Sequence, residues 1–283
     1  MAATISTDFV FEPKVWKEHV AAFFRDKLMF GAIAMSDDTL TQEPGETVNF
    51  PYFKKIGAAE EPLETASLTV DNLSDDSFSA TVKEVGKAVG MKKKAFKVSA
   101  ARTERIIQEI TSQIGRVHAE KVDSDLLVEF DNVANHTAVT STVAGGATIR
   151  SINQGKVLGF GDLHTDAMAL QINSLDMLNV TNDVSTGFMK ADANDPLIHV
   201  PGFQGRLLNM AVFETDKVAA GVAYIHKADP YGFLIKQDME LESDYDILAR
   251  EWVFTGNQWY AVKSFHGKID ANDRKSIKLT FIA

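Results

Sequence analysis

From Ile106 to Phe130 the chain sets an apolar residue at almost every fourth position. The rungs are Ile106, Ile110, Ile114, Val122, Leu126 and Phe130, with His118 as the one polar rung. Four residues turn an α-helix by about 400°, so this stripe drifts about 40° around the axis at each step. Such a stripe meets different elements along its length, as the surface of a spine would. A strict heptad is missing, which argues against a coiled coil. With Ser99 as a suitable N-cap, the spacing predicts one helix of roughly thirty residues, roughly 45 Å long. Gly115 is a mild weakness within it.

Ahead of the helix the period changes. Residues 1–11 read as a lead-in, and Pro13 suits a first helical turn, where its missing N–H needs no partner. Trp16, Val20, Phe23, Phe24 and Leu28 then fall at helical spacing. This short amphipathic helix packs on its own core or docks on a neighbour. Pro44 and Gly45 mark a turn. Val48, Phe50 and Tyr52 alternate with polar residues like a half-buried strand, which Pro51 keeps away from a sheet centre. Residues 56–62, with Glu60 and Glu61, read as a loop or hairpin tip. Alternation returns at Phe78, Ala80 and Val82, and Gly86 and Gly90 interrupt a strand pattern that otherwise continues through Val85, Val89 and Met91. Up to residue 98 there are few large apolar side chains and many charges. The stretch is therefore expected to protrude, to be supported by another surface, and to bend near Gly45, Gly86 and Gly90.

Beyond the helix, residues 137–148 are small and polar and read as loop or edge structure. A second helix is expected over 162–178 with Asp162 as N-cap, then irregular chain over 179–201. Strands are predicted over 207–213, 222–227, 233–241, 248–255, 259–265 and 276–282. Asp229-Pro230 and Gly256-Asn257 are read as turns between them. No internal repeat is present.

Composition narrows the function classes. The 283 residues suffice for one large or two modest domains. The formal net charge of −10 disfavours tight binding of nucleic acid by the surface as a whole. There is no cysteine, which excludes disulfides, thiolate metal sites and cysteine nucleophiles. No apolar run approaches the roughly 18 residues of a membrane span. Residues 1–10 lack the blocks of a signal peptide, so a cytoplasmic, soluble chain is expected.

The search for chemistry returns little. Asp162, His164 and Asp166 have metal-ligand types, but on a helix residues two apart face different ways. His19, His118, His136, His199, His226 and His266 are scattered. Gly155, Gly159 and Gly161 form neither a dinucleotide fingerprint nor a phosphate loop, and no nucleophile elbow exists. No catalytic, cofactor or metal residue is therefore expected. The strongest charge feature is the basic run Lys92, Lys93, Lys94, Lys97, Arg102 and Arg105. It is a solvated face, a contact to DNA, or a patch that meets acids on another copy. Candidate acids are Glu60, Glu61, Glu64, Asp75 and Asp76, or Asp238, Glu240, Glu242, Asp244 and Asp246. Pairing with a neighbour is the favoured functional reading, because complementary patches fix register between subunits.

The order of these features resembles the major capsid proteins of tailed bacteriophages, which share the Hong Kong 97-type capsid fold. Gly45-Glu46-Thr47-Val48-Asn49-Phe50-Pro51 and the run Ala80-Thr81-Val82-Lys83-Glu84-Val85-Gly86-Lys87-Ala88-Val89 look like that family's extended-loop region. Residues 238–246 followed by 252–265 are similar to its closing segment. The resemblance implies an α+β fold with an N-terminal arm (1–36), an extended loop (37–98), a peripheral domain (99–133 and 236–283) and an axial domain (134–235). It implies a non-enzymatic shell subunit that forms hexamers and pentamers around double-stranded DNA, held only weakly. Portal and scaffolding proteins would be its partners, with decoration proteins as further candidates. Virion capsid is the implied location, with assembly in the host bacterial cytoplasm. Inter-subunit contacts are expected from Trp16, Phe23 and Phe24 of the arm and Lys54, Lys55, Glu60 and Glu61 of the loop. Lys92, Lys93, Lys94, Arg102 and Arg105 complete the candidates. Some relatives of this fold crosslink a lysine to an asparagine, and Lys54 and Lys55 are placed for it, but no local motif supports it. Two rival readings stand beside this one: an encapsulin-like compartment shell, and a soluble enzyme or binding protein using residues 137–205.

Overall fold

The computed structural model describes residues 28–37, 45–54, 56, 59, 61, 70–94, 103–182, 188–192, 195–266 and 274–282. The long helix, α1 (Thr103–Asp131), is present as the stripe predicts. Ile114, Val122, Leu126 and Phe130 are fully buried, and so are Ile107 and Ala119 on the adjoining rung. The stripe is thus two side chains wide, and its drift lets one helix serve several partners. Phe30 packs edge-on against Phe130, with ring centroids 5.6 Å apart. Tyr231, Phe233, Met239, Leu241, Phe254 and Tyr260 of the closing strands complete this first core.

Those strands form a four-stranded sheet in the order β1 (Met35–Asp37), β11 (Tyr231–Asp246), β12 (Glu251–Ser264), β4 (Lys83–Lys92). The predicted turn at Gly256-Asn257 does not exist; β12 runs straight through it. Gly256 is required by close approach instead. A Cβ there would lie 2.5 Å from Cγ2 of Ile114, and the Gly256 carbonyl sits 3.0 Å from Nε2 of His118. The helix lies directly on the strand backbone, so no side chain fits.

Gly86 and Gly90 likewise do not interrupt β4, whose residues pair without a break from Lys83↔Tyr260 to Lys92↔Glu251. A side chain at Gly86 would collide with the Asn257 amide, and one at Gly90 would crowd the Glu251 carboxylate. These glycines make room for β12 and are not hinges. Strand β4 pairs with β12 within the closing sheet.

The second core surrounds a seven-stranded sheet. Its order is β5 (Thr137–Thr140), β13 (Ser276–Thr280), β10 (Val222–His226), β6 (Ala169–Ile172), β9 (Met210–Glu214), β8 (Phe203–Leu207), β7 (Phe188–Lys190). The helix expected over 162–178 is replaced by three elements: a 3-10 turn (Gly161–Asp166), β6 and helix α3 (Ser174–Asn182). Ahead of them lies a helix the pattern did not announce, α2 (Ile149–Phe160), capped by a reciprocal Thr148/Ser151 box. All four residues of β6 are buried, the polar Gln171 among them, so no alternation of apolar and polar positions marks the strand. Helix α2 escapes the pattern because Gly155 and Gly159 occupy its core face. They bring it onto Leu279 and Ile277 of β13 so closely that a Cβ at either would clash. The strand expected over 207–213 is a hairpin, β8 to β9. Its turn residues Leu208 and Asn209 have φ of 49° and 69°, the signature of a tight two-residue reversal.

The third unit is the hairpin β2 (Thr47–Phe53) and β3 (Asp75–Thr81). In a two-stranded ladder each strand is an edge, which accommodates Pro51 opposite Ser77. Its base rests on its own chain. Ala80 is buried against Leu234 and Ala261, and Phe78 meets Phe265 with centroids 5.4 Å apart. The Gly45 carbonyl, expected as a hinge point, accepts a hydrogen bond from Nζ of Lys236. Away from the base, Phe53, Val70 and Leu73 are 64%, 83% and 64% exposed.

Candidate functional site: surfaces for subunit contact

The expected contact residues are spread over three places. Lys54 follows β2 and is paired with Asp76 across the hairpin at 3.0 Å, with both side chains about half exposed. Glu61 is exposed. Lys92 ends β4 and is satisfied within the chain, at 2.8 Å from Glu251 and donating to the Ala249 carbonyl at 3.1 Å. Nζ of Lys93 sits 5.1 Å above the Tyr245 ring, and Lys94 and Arg105 are exposed. Trp16, Phe23, Phe24, Lys55, Glu60 and Arg102 lie outside the described residues. The structure therefore brings together Lys92, Lys93 and Lys94, and pairs the first of them in cis. Asp238 to Asp246, the second acidic set, lie on β11 of the same sheet.

Three carboxylates on the spine helix have roles that the periodicity did not announce. Asp123 is buried and accepts the backbone N–H groups of Phe30 and Met29 at 2.9 and 3.3 Å, with Nζ of Lys217 at 3.3 Å. Burial raises its pKa above that of an ordinary carboxylate, and the Phe30 N–H, Lys217 and the Met29 N–H offset this only in part. Asp125 is held from three sides, by Lys83 at 2.6 Å, Lys121 at 2.8 Å and the Tyr260 hydroxyl at 2.5 Å. Burial pushes its pKa up, but Lys121, Lys83 and Tyr260 together bring it below the usual value. Asp131 accepts from Lys278 and from the Tyr224 hydroxyl at 2.7 Å, and the Lys278 bond is the main cause of its lowered pKa. Each carboxylate thus ties α1 to a different element: the Phe30 turn, the closing sheet, and the seven-stranded sheet. The only hint in the sequence is that acids sit beside the apolar ladder.

Where the two cores meet, His226 is enclosed by Phe130, Tyr224 and Tyr231. Its Nδ1 is 3.0 Å from the Ser276 hydroxyl, and its Nε2 has no hydrogen-bond partner among the described residues. Burial, followed by the nearby His136 and His266, pushes its pKa down to about 3. A neutral, packed imidazole is a structural plug, not a proton shuttle. Asp162 and Asp166 lie in the 3-10 turn, with Asp166 3.9 Å from Lys227. Among the described residues no group of three His, Asp or Glu is placed to hold a metal. A groove of about 870 Å³ lies over β6 and β9, bordered by Met168, Phe213, Arg206 and Lys227. It is open, and Arg206 is already paired with Asp195 at 2.8 Å. None of the described helices is long and apolar enough to cross a membrane.

Known proteins share this fold. A curated protein of Staphylococcus phage phiMR11, named major capsid protein, is 26% identical over 270 residues, covering 95% of this chain and 92% of the relative. Its length matches almost end to end. The chain is similar over almost its whole length to this phage major capsid protein, and its fold is the Hong Kong 97-type capsid fold. Solved structures agree on that fold. The capsid of Ralstonia phage GP4 aligns with a TM-score of 0.66 and 11% identity over 91% of this chain and 92% of that one. The cyanophage Pam1 capsid aligns at 0.64 and 13% identity over 100% and 96%. A virus-like particle from Pyrococcus furiosus aligns at 0.59 with 8% identity over 94% and 98%. No protein-family model matches the chain. The phage relatives named here are structural capsid proteins, not enzymes.

Proposed function

We propose that this capsid protein forms rings of five and of six copies that close into an icosahedral shell around double-stranded DNA. The observation that carries the reading is the β2–β3 hairpin. A two-stranded ribbon is marginal by itself, and here only its base is buried while Phe53, Val70 and Leu73 face solvent. An apolar tip held out from the body gains its remaining burial from a neighbouring copy. Many such strips acting together stabilise a closed particle, although each is modest alone. The same sequence serves both ring sizes through head-to-tail contacts.

In this reading residues 1–36 are an arm and 37–98 an extended loop whose last strand, β4, is anchored in the peripheral sheet. Residues 99–133 with 236–283 are the peripheral domain, and 134–235 the axial domain at the ring centre. The net charge of −10 suits a wall that DNA slides past during packing. Portal and scaffolding proteins, and decoration proteins where present, complete the assembly in the host bacterial cytoplasm.

A compartment shell loaded with protein is the second reading, favoured by the likeness to the Pyrococcus furiosus particle. Cargo separates the two. Particles purified from infected cells are expected to protect DNA from nuclease. Particles that instead carry a co-purifying protein and no nucleic acid would establish the second reading.

A further inference from the structure

Leu28 packs on the first core, as do Leu127 of α1 and Val222 of β10. The next two N–H groups, of Met29 and Phe30, are held by Asp123. Nζ of Lys217 reaches the same carboxylate oxygen as the Met29 N–H, each at 3.3 Å. The start of this segment is thus pinned beside Lys217. Val218 follows that lysine, and with Leu127, Val128, Ala219 and Val222 it borders a groove of about 510 Å³. The groove runs between the C-terminal part of α1 and the chain ahead of β10, and Val128 is 68% exposed there.

The polar rim of the groove is already satisfied. Lys217 is paired with Asp123 and Lys278 with Asp131, and the Tyr224 hydroxyl donates to Asp131. The Asn132 side chain accepts the Ala134 N–H. An occupant therefore gains burial of apolar surface here and not a new ion pair, so the groove favours aliphatic and aromatic side chains over a charged ligand.

The sequence supplies such side chains within reach. Trp16, Val20, Phe24 and Leu28 fall at intervals of four with Phe23 beside them, so the predicted helix carries its apolar stripe onto Leu28. Phe24 stands one helical turn ahead of Leu28, roughly 6 Å away in a helix and at most about 14 Å in extended chain. Asp123 fixes the end of that tether at the rim of the groove. So short a tether gives the segment an effective concentration on the order of mM over its own groove, while a neighbour's segment is tethered to a groove of its own. We propose that Val20, Phe23 and Phe24 seat in this groove of their own subunit. Residues 16–28 then form an intramolecular clasp across α1 and the chain ahead of β10. Phe23 and Phe24 are contacts within the subunit and not between copies. The clasp does not depend on the shell reading above.

The chain has no cysteine of its own, so disulfide trapping reports on this contact alone. The full chain carrying both Phe24→Cys and Val128→Cys is oxidised and resolved without reductant, as dissociated subunits and as particles. A disulfide within the chain, located by mass spectrometry, is expected in most molecules of both samples. A mixture of singly substituted chains, Phe24→Cys with Val128→Cys, is expected to give no linked pairs. Linked pairs from the mixture would assign the groove to a neighbour's segment, and a doubly substituted chain that stays reduced would leave the groove without this occupant. Either result overturns the clasp. Val128→Lys gives a readout free of cysteine, because position 128 is exposed and the fold tolerates the change. Trypsin is expected to cut after Arg25 and Lys27 about ten-fold faster in this variant, with an unchanged circular dichroism spectrum. Equal cutting rates would contradict the proposal. A wild-type chain that makes no particles would defeat the shell reading and leave the clasp standing, since dissociated subunits suffice to test it.

Discussion

Asp123 illustrates how one side chain fixes the entry of the chain into the fold. Its carboxylate accepts two consecutive backbone N–H groups ninety-odd residues away in sequence, and Lys217 closes over it. Removing the acceptor leaves two amide donors without a partner. Asp123→Ala is therefore expected to lower stability by about 2–4 kcal/mol, read as a shift in the urea midpoint of dissociated subunits. An unchanged midpoint would show that water replaces the carboxylate. His226 makes a prediction of the opposite kind, about protons and not contacts. Its folded pKa of about 3 lies below the ordinary 6.5, so the unfolded chain binds the proton more readily. Its contribution to stability is complete above about pH 6.5 and is lost as pH falls toward about 3. His226→Gln is expected to be less stable near about pH 7 yet to lose less stability between about pH 6 and about pH 4. Equal slopes for the two proteins would place the acid sensitivity elsewhere.

At the level of elements, glycine carries the lesson about what a sequence discloses. Gly256 lies beneath Ile114, and Gly155 and Gly159 lie beneath β13, because backbones approach closely at both places. Gly256→Ala is expected to cost about 1–3 kcal/mol by forcing α1 away from β12. It should slow assembly as well, since the spine supports the closing sheet; a thermal midpoint equal to wild type would contradict this packing. Read from the sequence alone, the same glycines suggest a turn at Gly256 and breaks at Gly86 and Gly90. Local pattern reports that a side chain is missing, not whether a bend or a neighbour is the reason. The spine helix was legible because its ladder of Ile114, Val122, Leu126 and Phe130 persists over many turns. Strands β10 and β13, and the hairpin around Val48 and Phe78, were legible from alternation. Helix α2 was hidden by its glycine face, and β6 by being buried on both sides, Gln171 included. The roles of Asp123, Asp125 and Asp131 required tertiary structure, since each partner is distant in the chain.

On the scale of the whole molecule, two cores meet at the C-terminal end of α1, where Phe130, Tyr224, His226 and Tyr231 interlock. This junction joins the two cores, while the β2–β3 ribbon and the β11–β12 turn extend away with apolar side chains exposed. In the proposed shell, exposed surfaces of this kind and not a pocket carry the function. The basic run was only partly interpretable beforehand. Lys92 is satisfied by Glu251 in its own subunit, which leaves Lys94 facing solvent. The central claim is that the ribbon completes its burial on another copy. A cryo-electron microscopy reconstruction of particles assembled from the full chain tests it most directly. The account predicts closed shells of five- and six-membered rings in which the Phe53, Val70 and Leu73 tip lies against the adjacent subunit. A protein that stays monomeric, or shells in which that tip contacts only its own subunit, would contradict it.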